Sequence, residues 1–181
     1  MRKFFNFIWD IIKIVVIALA IVAPIRYFLF QPFFVSGQSM EPNFKNGDYL
    51  IIDEISYRFE LIKRGDVVVF RYPLDPSQRF IKRVVGLPGE TVEIKDEKII
   101  ISKNGESWIL DEKYIPESNK TVGQTKTELG SKEYFVMGDN REFSYDSRKF
   151  GPLPFDKIIG KVFLRALPIN SFDIYYRSVA Y

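Results

Sequence analysis

The sequence predicts a mainly β protein: an antiparallel-sheet core with a small β cap insertion, preceded by one N-terminal transmembrane helix. Three observations carry this expectation. Residues 11–30 are almost wholly apolar, the remainder breaks into short β-branched runs introduced by turn residues, and no convincing amphipathic helix follows. At 46% hydrophobic, 27% charged and 16% aromatic, the 181-residue chain has ample material for a packed core. Its net charge of +3 and lack of a basic cluster argue against a nucleic-acid partner.

The anchor comes first. A 20-residue helix is about 30 Å long, which matches a bilayer hydrocarbon core. Lys13 and Arg26 fall near its two ends, where long side chains reach the headgroups, and Trp9 and Tyr27 suit the interfacial belts. The rival reading is a cleaved leader, with Ala18-Leu19-Ala20 as the cleavage site. Against it, the apolar run continues through Ile21-Val22-Ala23, and Asp10 and Lys13 disturb the approach. Arg2, Lys3 and Lys13 on one side, against Arg26 on the other, place the N-terminus in the cytoplasm.

Strands are expected at Tyr49-Leu50-Ile51-Ile52 after Asn46-Gly47-Asp48, at Val67 to Phe70 after Arg64-Gly65-Asp66, and at Phe80 to Val85 before Gly86-Leu87-Pro88-Gly89. Asn104-Gly105 between Ile99-Ile100-Ile101 and Trp108-Ile109-Leu110 is the strongest hairpin cue in the chain. Residues 117–132 turn polar and read as a loop, and the Asn119-Lys120-Thr121 sequon within it as an accidental match. Further strands are expected at Tyr134 to Met137 and Lys161 to Leu164. The implied domains are residues 1–30 as cytoplasmic tip and anchor, 31–90 with 131–181 as the β core, and 91–130 as a β-hairpin cap.

The chain has no histidine and no cysteine, so any nucleophilic chemistry needs serine with a base other than histidine. In a strand Lys82 shares a face with Phe80 and Val84, an apolar setting that lowers a lysine pKa. Taken singly, Lys82 also reads as a snorkelling lysine and Ser39 as a turn residue. The block Gly138 to Arg148 is dense in polar groups, and its Ser144, Asp146 and Arg148 alternate along one face if extended. An exposed Asp146/Arg148 pair on a turn is the plainer alternative there.

Four segments occur in fixed order: Ser36-Gly37-Gln38-Ser39-Met40-Glu41-Pro42, Gly65 to Phe70, Lys82 to Gly89, and Gly138-Asp139-Asn140-Arg141 with Ser144, Asp146, Ser147 and Arg148. Together they resemble bacterial type I signal peptidase (leader peptidase), in its short Gram-positive form, over nearly the whole chain. The resemblance implies a Ser-Lys peptidase core in which Ser39 is the nucleophile and Lys82 the general base. Ser144 would hydrogen-bond the lysine amine, and Asp139, Asp146 and Arg148 would support the site. It further implies substrates with small residues at −1 and −3, bound as an added strand against Phe33, Val35, Met40 and Ile81. The implied partners are secretory preproteins and the lipid bilayer, with no cofactor, no metal and no obligate protein partner evident.

Gly37 stands where the long Gram-negative form has a serine that helps bind the oxyanion, leaving more of that load to backbone amides. Asn43 stands where the family usually has threonine, and the cap segment is short. Two rival readings remain: a specialised Ser-Lys peptidase, such as a pilin processor, and an anchored, non-catalytic peptide-binding domain.

Overall fold

A computed structural model describes residues 2–28, 30–55, 59–116, 118–119 and 121–175. Residue 29 of the expected membrane span, residue 120 of the sequon and residues 176–181 of the expected core fall outside the described residues. Helix α1 (Arg2–Phe28) opens the chain. Among the described residues twelve strands follow: β1 (Phe30–Phe34), β2 (Tyr49–Asp53), β3 (Val67–Tyr72), β4 (Asp75–Gly86), β5 (Thr91–Lys95), β6 (Lys98–Lys103), β7 (Glu106–Ile109), β8 (Thr125–Glu128), β9 (Glu133–Met137), β10 (Leu153–Pro154), β11 (Ile158–Leu167) and β12 (Asp173–Ile174). A single-turn helix α2 (Ser147–Phe150) lies between β9 and β10.

The helix differs from the sequence expectation at both ends. It begins at Arg2, and it stops at Phe28 so that Phe30 opens β1 opposite Asp53 of β2. Among the described residues, no helix is long and apolar enough to cross a membrane. Asp10 and Lys13 lie within this part of α1 and form an ion pair at 3.2 Å. Every side chain described from residue 4 to residue 20 is exposed, so α1 is not covered by the rest of the protein over that length.

The larger sheet is antiparallel in the order β1-β2-β11-β3-β4-β9-β10, with β12 beside β11. Two apolar clusters belong to it. One gathers Val35, Met40, Phe44, Leu50, Val69 and Ile81, and the other Val68, Phe70, Val84, Val136 and Leu153. Fully burying one such side chain is worth about 1.5–3 kcal/mol.

The cap is a second sheet of four strands, in the order β7-β6-β5-β8, where the sequence suggested only a hairpin. The hairpin itself is β6–β7, turned at Asn104 (φ 52°) and Gly105 (φ 85°), the two positive φ values that an Asn-Gly hairpin turn requires. Strand β8 arises inside the polar stretch read as a loop. A third cluster joins the two sheets, with Val85, Phe135 and Met137 from the core meeting Val92, Ile94, Ile101 and Leu129 from the cap. Gly86 sits at this junction, where an added Cβ would collide with Val92, Leu129 and Phe135.

Candidate active site

Ser39 lies on the turn-rich segment between β1 and β2. Val35 and Met40 are buried on either side of it, exposed by 4% and 0%. The Val35 amide donates to Asp48 O at 2.9 Å, and the Asn140 amide donates to Ser39 O at 3.0 Å. The nucleophile candidate is thus tethered from both directions along the chain and from the Gly138–Arg148 block.

Lys82 reaches it from the middle of β4. Its cross-strand partner is Val68, and it lies between Phe80 and Val84, so it emerges from an apolar face. Lys82 Nζ donates to Ser39 Oγ at 2.7 Å and to Ile81 O at 3.0 Å, and stands 5.5 Å from the Phe80 ring centroid. Burial pushes its pKa down to about 8, with Arg148 adding to the fall, while the charges of Asp146 and Asp139 oppose it. Desolvation wins because each of those carboxylates is already occupied by an arginine.

Arg83 takes Asp139 in a bidentate grip, Nε to Oδ1 at 2.8 Å and Nη2 to Oδ2 at 2.6 Å. Arg148 does the same for Asp146, Nε to Oδ1 and Nη2 to Oδ2, both at 2.8 Å. Asp146 also accepts the Gly138 amide at 3.0 Å and caps α2 through the Arg148 amide at 3.2 Å. Burial alone would raise the Asp146 pKa, but Arg148 and the Gly138 amide outweigh it and hold the carboxyl below its usual range.

Ser144 departs from its expected partner. Its Oγ is buried without a hydrogen bond, and the amine of Lys82 is satisfied by Ser39 and Ile81 instead. Ser144 nevertheless stays close to this centre, because an added Cβ on Gly138 would strike both Ser144 Oγ and Ser39 O. Only glycine fits between them.

A cleft of about 360 Å³ opens over the pair, lined by Phe33, Gln38, Ile81, Phe143 and Tyr145 along with Ser39 and Lys82. Phe33 and Ile81 line this cleft. Val35 and Met40 do not line it. They sit behind it in the core cluster with Ile81, because their side chains fill the space under the Ser39 turn.

The matched family is the signal peptidases, peptidase S26, over residues 8–167. A probable signal peptidase I-1 of Synechocystis is 35% identical over 172 residues, covering 91% of this chain and 85% of that one. Signal peptidase I V of Bacillus subtilis is 33% identical over 163 residues, covering 85% and 95%. The chain belongs to the signal peptidase family, peptidase S26. Like its relatives in that family, it is a serine endopeptidase. A crystal structure of a signal peptidase I from Enterococcus faecalis matches 56% of this chain and 97% of that one, at 30% identity and a TM-score of 0.48.

Several residues around this candidate site were given no structural role by the sequence. Asn43, the departure from threonine, donates through Nδ2 to Asp139 Oδ2 at 2.9 Å and to Tyr114 O at 2.8 Å, so it ties the nucleophile segment to the acidic block. Asn119 donates to Asp139 O at 2.5 Å and accepts the Arg141 amide at 3.1 Å. Its side chain is spent on structure, and Thr121 of the same sequon accepts from Arg141 at 2.6 Å. Glu112 grips Arg141 with two bonds of 2.6 Å. The signal peptidase resemblance pointed to the 139–148 block, but nothing in it named the cap-side partners, which lie 20 to 29 residues away.

Proposed function

We propose that the chain is a membrane-anchored serine endopeptidase. It removes N-terminal signal peptides from exported preproteins after small residues at −1 and −3, by way of an acyl-enzyme. The observation that carries the reading is the 2.7 Å contact between Lys82 Nζ and Ser39 Oγ, with the lysine pKa lowered to about 8. Once the amine has lost its proton, the Ser39 hydroxyl can donate across the same contact. Ser39 Oγ then attacks the scissile carbonyl as Lys82 takes the hydroxyl proton.

The tetrahedral oxyanion needs donors. The Gly37 amide is already given to Asn46 Oδ1 at 3.0 Å, whereas the Ser39 amide makes no hydrogen bond among the described residues. Ser39 N–H is therefore our candidate donor. Collapse of the intermediate expels the leaving amine, which takes the proton back from Lys82. A water activated by the same amine hydrolyses the ester and restores Ser39. Arg83–Asp139 and Arg148–Asp146 act as positioning pairs that fix the 138–148 block against Ser39 and Lys82 while limiting the negative charge felt by the amine.

Anchoring rests on the apolar span of residues 11–30 and on the uncovered surface of α1. The preference for small side chains rests on the family resemblance, with Val35, Met40 and Ile81 packed together in the core cluster behind the cleft. Cleavage of a preprotein ending in Ala-x-Ala, in detergent micelles, tests the proposal. The wild type should release product beginning after the second alanine, and Ser39→Ala and Lys82→Ala should each lose at least about a thousandfold in rate. Full turnover by either variant would remove the dyad.

A further inference from the structure

We propose that Phe143 and Tyr145 form an aromatic subsite that takes one bulky apolar side chain of the peptide substrate, at a position other than −1 and −3. The inference rests on the peptidase reading above and extends it from the two small positions to the rest of the substrate.

The two rings flank Ser144 in sequence. Ser144 turns its Oγ into the protein, and both neighbours line the cleft over Ser39 and Lys82. They are also substantially open to solvent, Phe143 by 63% and Tyr145 by 49%. Large exposed rings beside a binding cleft gain free energy when a ligand covers them.

Tyr145 is held in place. Its hydroxyl lies 3.3 Å from the Tyr72 hydroxyl, and its ring meets Tyr72 edge-on at 5.9 Å and Phe150 at 6.1 Å. Tyr72 in turn stacks on Phe80 at 4.8 Å, and Phe80 neighbours Lys82. The wall is thus continuous with the strand that presents the base, and a rigid surface loses little entropy on binding. Phe143 stands beside it as the more exposed face.

The remaining chemistry of the cleft selects the ligand class. Among the described lining residues, Arg79 and Lys82 carry charge and none is a carboxylate. A basic substrate side chain finds no partner there, whereas a leucine or phenylalanine side chain finds two rings. A tenfold rate preference corresponds to about 1.4 kcal/mol, which is within what burying apolar surface against an aromatic side chain supplies.

A peptide series tests this, with Ala fixed at −1 and −3 and each other position from −5 to +2 varied in turn among Ala, Phe and Lys. At one position, wild-type kcat/KM should be about tenfold higher for Phe than for Ala, with Lys no better than Ala. In Phe143→Ala and in the Phe143→Ala/Tyr145→Ala pair, that Phe/Ala ratio should fall towards one. Tyr145→Phe, which keeps the ring, should retain it. A wild type that cuts every peptide equally would overturn the subsite and leave the peptidase reading intact. So would a ratio that survives in the double variant. Failure of the wild type to cut any of the peptides would overturn the peptidase reading, and the subsite with it.

Discussion

In the mechanism we propose, Lys82 is the base, and its environment would set the pH at which that chemistry can run. In water a lysine near pKa 10.4 is neutral about once in a few thousand molecules at pH 7. With burial pushing the value to about 8, roughly one amine in ten is neutral at pH 7 and half are at pH 8. Turnover should therefore rise about tenfold per pH unit below 8 and level off above it, as read from kcat/KM between pH 6 and 9.5. Lys82→Arg, whose guanidinium stays protonated, should be inactive throughout, and a flat wild-type profile would exclude Lys82 as the base. The same shift acts on stability with a definite sign. The folded pKa lies below the unfolded one, so the unfolded chain binds more protons between about 8 and 10.5, and folding is favoured as pH rises through that window. At this scale the sequence was legible only in part. The absence of histidine and cysteine directed attention to Ser39 and Lys82, and the apolar neighbours Phe80 and Val84 were readable from strand alternation. The bidentate hold of Arg83 on Asp139 was not, because the two are 56 residues apart and nothing local pairs them.

The elements explain how residues so distant become one site. From the cap side, Glu112, Asn119 and Thr121 each cross to bond the 138–141 turn. Tyr114 lies on the way, its ring 4.3 Å from the Arg83 guanidinium and its carbonyl bonded to Asn43. The turn held in this fashion is the one whose Asn140 amide holds Ser39 O. Arg141 is fully buried, and its charge is tolerated there because Glu112 answers it in a bidentate pair. Glu112→Gln should leave that guanidinium without a countercharge, at a cost of about 3 kcal/mol, the low end for breaking a buried pair. Differential scanning calorimetry should then show Tm lower by about 6–12 °C. Turnover at a temperature where the variant is folded should fall as well, through loss of order in the 138–141 turn. An unchanged Tm would mean that the crossing segment does not support the site. This strap was hidden in the sequence for a physical reason. Its residues are polar, so hydrophobic periodicity is silent about them, and the same polarity made β8 read as loop. Strands β2, β3, β4, β6 and β9, by contrast, are β-branched or aromatic runs bounded by Gly, Asn or Asp, and are readable directly. Strand β1 escaped because Phe30-Gln31-Pro32-Phe33-Phe34 continues the apolar run of the helix and contains a proline.

Across the whole molecule, the largest uncovered apolar surface among the described residues lies on α1 between residues 4 and 20. Phe4, Phe7, Trp9, Ile14, Ile17 and Leu19 are each exposed by about 60% or more. An exposed apolar surface of this kind is what a bilayer would cover, and we propose that role for it. The contacts of α1 with the domain are at β1. Helix and candidate nucleophile are also close in sequence: α1 ends at Phe28, and only ten residues separate it from Ser39. Ten extended residues span at most about 36 Å, so a helix seated in lipid would hold Ser39 within reach of the membrane surface, where an embedded signal peptide presents its cleavage site. Asp10 and Lys13 do not oppose this reading, because they neutralise one another near one end of the span. The expected outcome is that the full chain stays with membranes after washing at high salt and at alkaline pH, conditions that strip proteins held by charge alone. A chain lacking residues 2–28 should be released by the first wash, yet should still cut a soluble Ala-x-Ala peptide in detergent. Protease added from the extracytoplasmic side should degrade the domain beginning at β1 and spare the N-terminal tip. Release of the full chain by salt alone would show that α1 rests on the surface, and the proposed delivery of substrate through the bilayer would then have to be abandoned.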